Sequence, residues 1–365
     1  MAAARTLAAE GGFAAVSLDD IASQAGVTAA VIYRHFPGKA ALAEAVLLDL
    51  LGRFGSIPEV GGLTGLVRRS IELALDEPDL LSVYLREYTA PQPPAVHAQE
   101  RRLQDRWSAA ILSDGLGCDL AGAVVRQRAV LGALAGTAVR AAPVARPRLD
   151  ELLARSALAV LRCPCREPDP QAPVRPEAGW RSPPTRADAI LDVALELFRQ
   201  RGFAGTGVDD IAAALGLAGS AIYRTYPRKS DILLDAYDRA GARVLVGVED
   251  ALAAATGPAD ALTRLATSFA AVTVGNIDLI AVTSREGAAL PDRERPRLSR
   301  RRRTVRETWA AVLGECRPEL TAAEARVLVS GVFPLATETA LGSRHQSIEP
   351  AEVADLMLAF VTGPR

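Results

Sequence analysis

The chain contains only two lysines, Lys39 and Lys229, and the sequence around them repeats in register. The spacing is 229 − 39 = 190 residues. The first copy reads Gly12-Phe13, Asp19-Asp20-Ile21-Ala22, Gly26, Ile32-Tyr33-Arg34, Pro37 and Lys39. The second reads Gly202-Phe203, Asp209-Asp210-Ile211-Ala212, Gly216, Ile222-Tyr223-Arg224, Pro227 and Lys229. An ungapped repeat of this kind means one supersecondary unit used twice. The 365 residues therefore divide into two related halves, which reads as a dimer fused into one polypeptide.

Composition narrows the fold class. Hydrophobic residues make up 49% of the chain and aromatics only 5%, a balance that favours packed helices over sheets. The expected fold is all-α, with each half large enough to bury its own core. A net charge of −1 excludes a broadly basic coat but leaves room for local basic patches. The N-terminal stretch has no charged region followed by an apolar run, and no segment reaches the ~18 apolar residues of a membrane span. A cytoplasmic protein without membrane partners is expected. Of the four cysteines, Cys163 and Cys165 form a Cys-Pro-Cys pair, but no neighbouring His or second pair completes a metal site. Neither metal nor cofactor is expected.

The clearest break is the run 162–185, whose seven prolines forbid a continuing helix and read as a semi-extended linker. The expected organisation is a head at 1–50, a helical body at 51–161, the linker at 162–185, a second head at 186–237 and a second body at 238–365. Within the heads, Ser17 with Asp20 forms a capping pattern, Thr28 is a candidate cap for the helix Ala29 to His35, and Gly26 and Gly216 mark turns. Met1 aligns with Leu191, so the first copy lacks counterparts of Arg186 to Ile190. Either translation starts upstream, or this head is the less stable one. The bodies read as amphipathic helices at 63–76, 79–89, 95–112, 120–140 and 148–161, then 259–274, 278–286, 293–313, 322–342 and 350–361. The repeat persists there in Arg86-Glu87 with Arg285-Glu286, and in Trp107 with Trp309.

Two short helices joined by a Gly-containing turn make a helix-turn-helix, whose second helix enters the major groove. Both heads resemble those of the TetR/AcrR family of bacterial transcriptional regulators. The resemblance rests on Ser17 to Lys39 and Gly207 to Lys229, and covers about 45 residues of each half. It implies that Tyr33 and Tyr223 reach phosphates, and that Lys39 and Lys229 contact the backbone as point charges. It further implies that Thr28, Ala29 and Ala30 read bases in one head, and Ala218, Gly219 and Ser220 in the other, flanked by Arg34, His35, Arg224 and Thr225. Because these readers differ, the expected operator is an imperfect palindrome of double-stranded DNA.

The resemblance also implies a small-molecule effector in the bodies, for which Tyr84, Tyr88, Trp107, Trp309 and Phe333 are the aromatic candidates. A single aromatic of this kind is more often plain core, and Tyr33 and Tyr223 are also readable as core aromatics. The eight arginines between Arg293 and Arg306 read as a solvated helix face, or as partners of acidic residues in the other half. No nucleophile elbow, zincin, P-loop or dinucleotide motif is present, so an enzyme is not expected. The expected function is a ligand-responsive regulator, a repressor acting as a single-chain pseudodimer, with further oligomers left open. The alternative is a helical ligand- or protein-binding module whose heads no longer bind DNA.

Overall fold

The structure is a computed structural model that describes residues 1–58, 60–87, 93–138, 144–164, 185–342 and 348–363. The described residues are helical and contain no strand. The first half comprises α1 (Ala2–Ala15), α2 (Leu18–Ala25), α3 (Ala29–His35), α4 (Lys39–Gly55), α5 (Gly62–Asp76), α6 (Asp79–Glu87), α7 (Pro94–Ser113), α8 (Leu120–Ala138) and α9 (Arg146–Leu161). The second repeats the order with α10 (Arg186–Arg201), α11 (Val208–Ala214), α12 (Gly219–Tyr223), α13 (Lys229–Ala253), α14 (Pro258–Gly275) and α15 (Ile277–Arg285). A short 3₁₀ turn (Glu286–Ala289) follows, then α16 (Arg295–Cys316), α17 (Ala322–Gly342) and α18 (Pro350–Thr362). The linker expected at 162–185 lies almost wholly outside the described residues.

Local chemistry explains the head boundaries. At α2, Ser17 Oγ accepts the Asp20 N–H at 3.0 Å while Asp20 accepts the Ser17 N–H at 2.9 Å. Thr185 and Asp188 form the same reciprocal box at the start of α10. Each box satisfies two N–H groups that a helix start leaves orphaned, worth about 1 kcal/mol. Gly12 and Gly202 adopt φ of 76° and 74°, where a side chain would be strained, and turn the chain at the same point of the repeat. Thr28 sits at the N-cap of α3 but makes no side-chain cap bond, contrary to its expected capping role.

The helices α4 and α13 run unbroken across residues 50–51 and 237–238. Head and body thus share a helix in each half, because the apolar stripe of that helix continues past the head. In α4 the buried residues extend from Leu42 through Leu50 and Leu51 to Phe54.

The halves meet where α8 packs along α17, with α9 and α18 packing against each other beside them. Small residues set the approach. A Cβ on Gly136 would lie 2.4 Å from the Ser330 carbonyl oxygen, and one on Gly132 would lie 2.7 Å from that of Pro334. The backbones therefore come closer than any larger side chain allows. An ion pair between Arg148 and Glu324 also crosses this boundary.

Candidate nucleic-acid interface

The heads are built from buried stripes that leave one helix face outside. In the first, Phe13, Leu18, Ile21, Ala22, Ile32 and Leu42 are buried. In the second, Ile211, Ala212, Ile222 and Ile232 take the places of Ile21, Ala22, Ile32 and Leu42, and Phe198 is buried with them, while Phe203, the counterpart of Phe13, is half-buried. Next to the sealed Ile32 and Ile222, Tyr33 is 56% exposed and Tyr223 is 52% exposed, so neither is a core aromatic. Thr28, Ala30, Arg34 and His35 are exposed beside Tyr33, with Ala29 half-buried. Ala218, Ser220 and Arg224 are exposed beside Tyr223, with Gly219 and Thr225 half-buried. The second helix of this pair spans only five residues, two fewer than α3.

Lys229 has structural work inside its head. Its Nζ donates to the carbonyls of Phe203 at 2.7 Å and Thr206 at 2.8 Å, and lies 4.2 Å from the centre of the Phe203 ring. Burial pushes its ammonium below the usual lysine value. Two of its three N–H donors are thereby used within the protein. Lys39 is half-buried at the equivalent position, where its charge acts on Glu87 as that of Lys229 acts on Glu286.

These glutamates join body to head. Glu87 Oε1 accepts the Phe13 N–H at 2.8 Å, and Glu286 Oε1 accepts the Phe203 N–H at 3.0 Å. Burial pushes both carboxyls up, while the main-chain hydrogen bonds pull the other way. The preceding arginines meet across the halves, where the Arg86 guanidinium donates to the Arg285 main-chain carbonyl. Arg285 pairs in turn with the buried Glu338 at 2.5 Å. Sequence reasoning gave the Arg-Glu dipeptides no role, although their recurrence in both halves was the available signal.

The second head carries a polar clamp that the first lacks. The Tyr226 hydroxyl donates to Asp235 at 2.5 Å, and Arg239 bonds both Asp235 and Asp188. Thr185 and then Arg239 hold the Asp188 carboxyl well below the usual range, and burial beside Asp235 pushes the Tyr226 phenol up. At the 190-residue spacing, Phe36, Ala45 and Asp49 stand where Tyr226, Asp235 and Arg239 do.

In the bodies, the aromatic candidates divide. Trp107 and Trp309 are almost wholly buried and act as core. Tyr84 is also buried, and its hydroxyl donates to Glu100 at 2.9 Å. Phe333 borders a cavity of about 350 Å³, and Trp309 stands behind it with ring centres 5.5 Å apart. Tyr88 lies outside the described residues. The arginine run finds acidic partners in its own half: Arg297 binds Asp238 through two bonds, and Arg301 joins it. The partner is local because α16 packs against α13, which carries Asp238.

Among the described residues, no single helix is long and apolar enough to cross a membrane. No curated protein matches the chain. Three solved structures are similar to it at low identity. A TetR-family transcriptional regulator from Bordetella parapertussis is 22% identical with a TM-score of 0.46, covering 48% of this chain and 94% of that one. The TetR-family regulator PfmR from Thermus thermophilus is 24% identical with a TM-score of 0.43, covering 48% and 98%. The ketosteroid transcriptional regulator KstR2 of Mycobacterium tuberculosis is 21% identical with a TM-score of 0.40, covering 49% and 94%. The family model for bacterial regulatory proteins of the tetR family matches twice, at residues 1–46 and 190–236, which are the two heads described above. With the helix-turn-helix geometry present in both places, the chain carries in tandem two heads of the tetR family of bacterial regulatory proteins within one polypeptide.

Proposed function

We propose that the chain is a ligand-responsive repressor that binds one operator as a single-chain pseudodimer. The observation that carries this reading is the exposure of Tyr33 and Tyr223 on short helices whose other faces are sealed by Ile32 and Ile222. A tyrosine more than half exposed at the same point of both heads costs apolar exposure and offers a hydroxyl to phosphate oxygens. Thr28, Ala29 and Ala30 in one head, and Ala218, Gly219 and Ser220 in the other, face base edges. Arg34, His35, Arg224 and Thr225 flank them. Lys39 and Lys229 approach the backbone at the starts of α4 and α13, with the third N–H donor of Lys229 left for a phosphate.

Packing of α8 and α9 against α17 and α18 supports one chain doing the work of a dimer. It would hold the two recognition helices one DNA turn apart, about 34–36 Å. An effector that favours a body arrangement with another head spacing releases the DNA by differential affinity for the two states. A gel shift on the gene's own flanking intergenic DNA, with sizing of the complex, tests the reading. The expected result is one chain per operator and a half-site asymmetry matching the different readers. Complexes in which each head pairs with a head of a second chain would overturn the single-chain arrangement.

A second reading has one observation in its favour. The first head has Phe36, Ala45 and Asp49 where the second has the Tyr226–Asp235–Arg239 clamp. A regulator reading DNA mainly through the second head would retain binding in Tyr33→Phe and lose it in Tyr223→Phe.

A further inference from the structure

The 350 Å³ cavity draws its lining from both halves. Ala9, Ser82, Arg86, Ala135 and Gly136 come from the first, and helices α13 to α17 supply the rest. One wall is apolar, formed by Val244, Phe269, Leu298, Val305 and Phe333. The charged lining is lopsided, with Arg86, Arg285, Arg301, Arg302 and Arg306 against the single carboxylate of Glu338. Two of these arginines act on Tyr237. The Arg302 guanidinium lies 5.0 Å from the ring centre, and Arg86 and Arg302 both act on its hydroxyl. Arg86 reaches the Arg285 carbonyl beside it.

Two guanidinium donors at this place lack acceptors. Arg86 Nε and Arg285 Nη1 are buried and have no hydrogen-bond partner among the described residues. Arg285 itself is 9% exposed. Buried N–H groups of charged side chains are costly to leave unpaired, and an acid oxygen is the acceptor that suits them best. Arg302 donates to the Thr283 carbonyl and has no carboxylate partner among the described residues. The nearby acids are otherwise engaged: Glu87 and Glu286 accept head N–H groups, Asp238 takes Arg297 and Arg301, and Glu338 holds Arg285.

We propose that this cavity binds one amphipathic organic anion per chain, its acid group among Arg86, Arg285 and Arg302 and its apolar skeleton against Phe269, Val305 and Phe333. The proposal rests on the ligand-responsive reading and adds the ligand's chemistry, its stoichiometry and its route to the heads. The volume falls at the small end of ligand sites, about 300–1,000 Å³. The space beside Tyr84, Glu100 and Leu131 in the first half is a cleft of about 20 Å³, which holds no organic molecule. The incoming acid competes with Glu338 for Arg285 and with the Arg285 carbonyl for Arg86. Those arginines immediately precede Glu286 and Glu87, whose carboxylates hold Phe203 and Phe13, so a single ligand acts on both heads. Tyr237 and Gly241 also belong to α13, the helix shared with the second head.

Calorimetric titration of the full chain with decanoate and with decanol separates the acid from the apolar contribution. The expected result is one site per chain, with decanoate bound about tenfold or more tighter than decanol, the value of a charge-assisted hydrogen bond. Arg302→Met, at an exposed side chain of the lining, reduces decanoate to the decanol level and leaves decanol unchanged. Equal binding of the two probes, two equivalent sites per chain, no binding of decanoate, or an unaffected Arg302→Met variant each overturns the proposal. A gel shift run in parallel keeps the two readings apart. Decanoate that binds once, in an Arg302-dependent way, without releasing DNA sinks the effector reading and leaves the anion site standing. Release of DNA by a neutral compound that decanoate does not displace does the reverse.

Discussion

Glu286 accepts the main-chain N–H of Phe203 at 3.0 Å, and the carbonyl of that same phenylalanine accepts Lys229 at 2.7 Å. A body residue and the first residue of a head-to-body helix thus hold the two peptide groups on either side of Phe203 at the turn after α10. The first half repeats the glutamate contact at Phe13. These main-chain anchors tie each head to its body.

Glu286→Ala leaves the Phe203 N–H unpaired and should cost about 1–3 kcal/mol, concentrated in the second head. Glu286→Gln keeps an acceptor and carries no buried charge. Burial raises the Glu286 carboxyl above its ordinary 4.5, so its charge opposes folding by an amount that is absent below that value and grows as pH rises through the raised one. The Gln variant should therefore be at least as stable as the parent at neutral pH. Hydrogen exchange at residues 202–206 distinguishes the two; equal protection in the Ala variant would show that the contact carries no energy.

Lys229→Ala removes two carbonyl bonds and a cation–ring contact. It should destabilise the second head by about 1–2 kcal/mol and weaken DNA binding. Because two of the three donors are used internally, the loss of affinity should exceed what one phosphate contact explains, while the salt slope changes by no more than about one unit. An unchanged melting temperature would count against the bracing role.

Tyr33→Phe and Tyr223→Phe delete exposed hydroxyls. Stability should stay within about 0.5 kcal/mol of the parent, while affinity for the operator falls severalfold. Melting curves beside gel shifts separate the effects, and a variant with full affinity would remove that tyrosine from the interface.

Acid should loosen the second head through Asp188. Its carboxyl is held below an aspartate's usual 3.8 by Thr185 and Arg239, so its contribution is present above that value and is lost as pH falls towards the lowered one. Asp188→Asn should therefore lower stability at neutral pH and flatten the acid limb of unfolding, followed at amides of the second head. An acid limb as steep as the parent's would contradict the assignment.

Gly136→Ala places a methyl 2.4 Å from the Ser330 carbonyl oxygen, so α8 and α17 must separate. Overpacking of this kind costs about 1–3 kcal/mol, and the global melting temperature should fall accordingly. A parent-like melting curve would mean that the two halves are not locked at this crossing.

The repeat, the helix boundaries and the exposed face of each head were legible in the sequence, because they follow from local causes. Ser17 with Asp20 caps α2, Gly12 and Gly202 turn the chain at positive φ, and Ile32 beside Tyr33 divides a buried face from an open one. The body helices were legible for the same reason, through the period of their apolar residues. What the sequence could not show is who meets whom at long range. Lys229 looked like an exposed point charge until folding brought the Phe203 and Thr206 carbonyls to its ammonium. The arginine run looked like a surface stripe until α16 packed against α13, giving it Asp238 and one wall of a cavity. Trp107 and Trp309 were readable as core or as ligand contacts, and packing buried them. Sequence fixes the short-range hydrogen bonds and the apolar period, since both depend on neighbours a few residues apart. Partners of long charged side chains depend on which helices become adjacent, and that is decided only when the apolar faces of both halves close on each other.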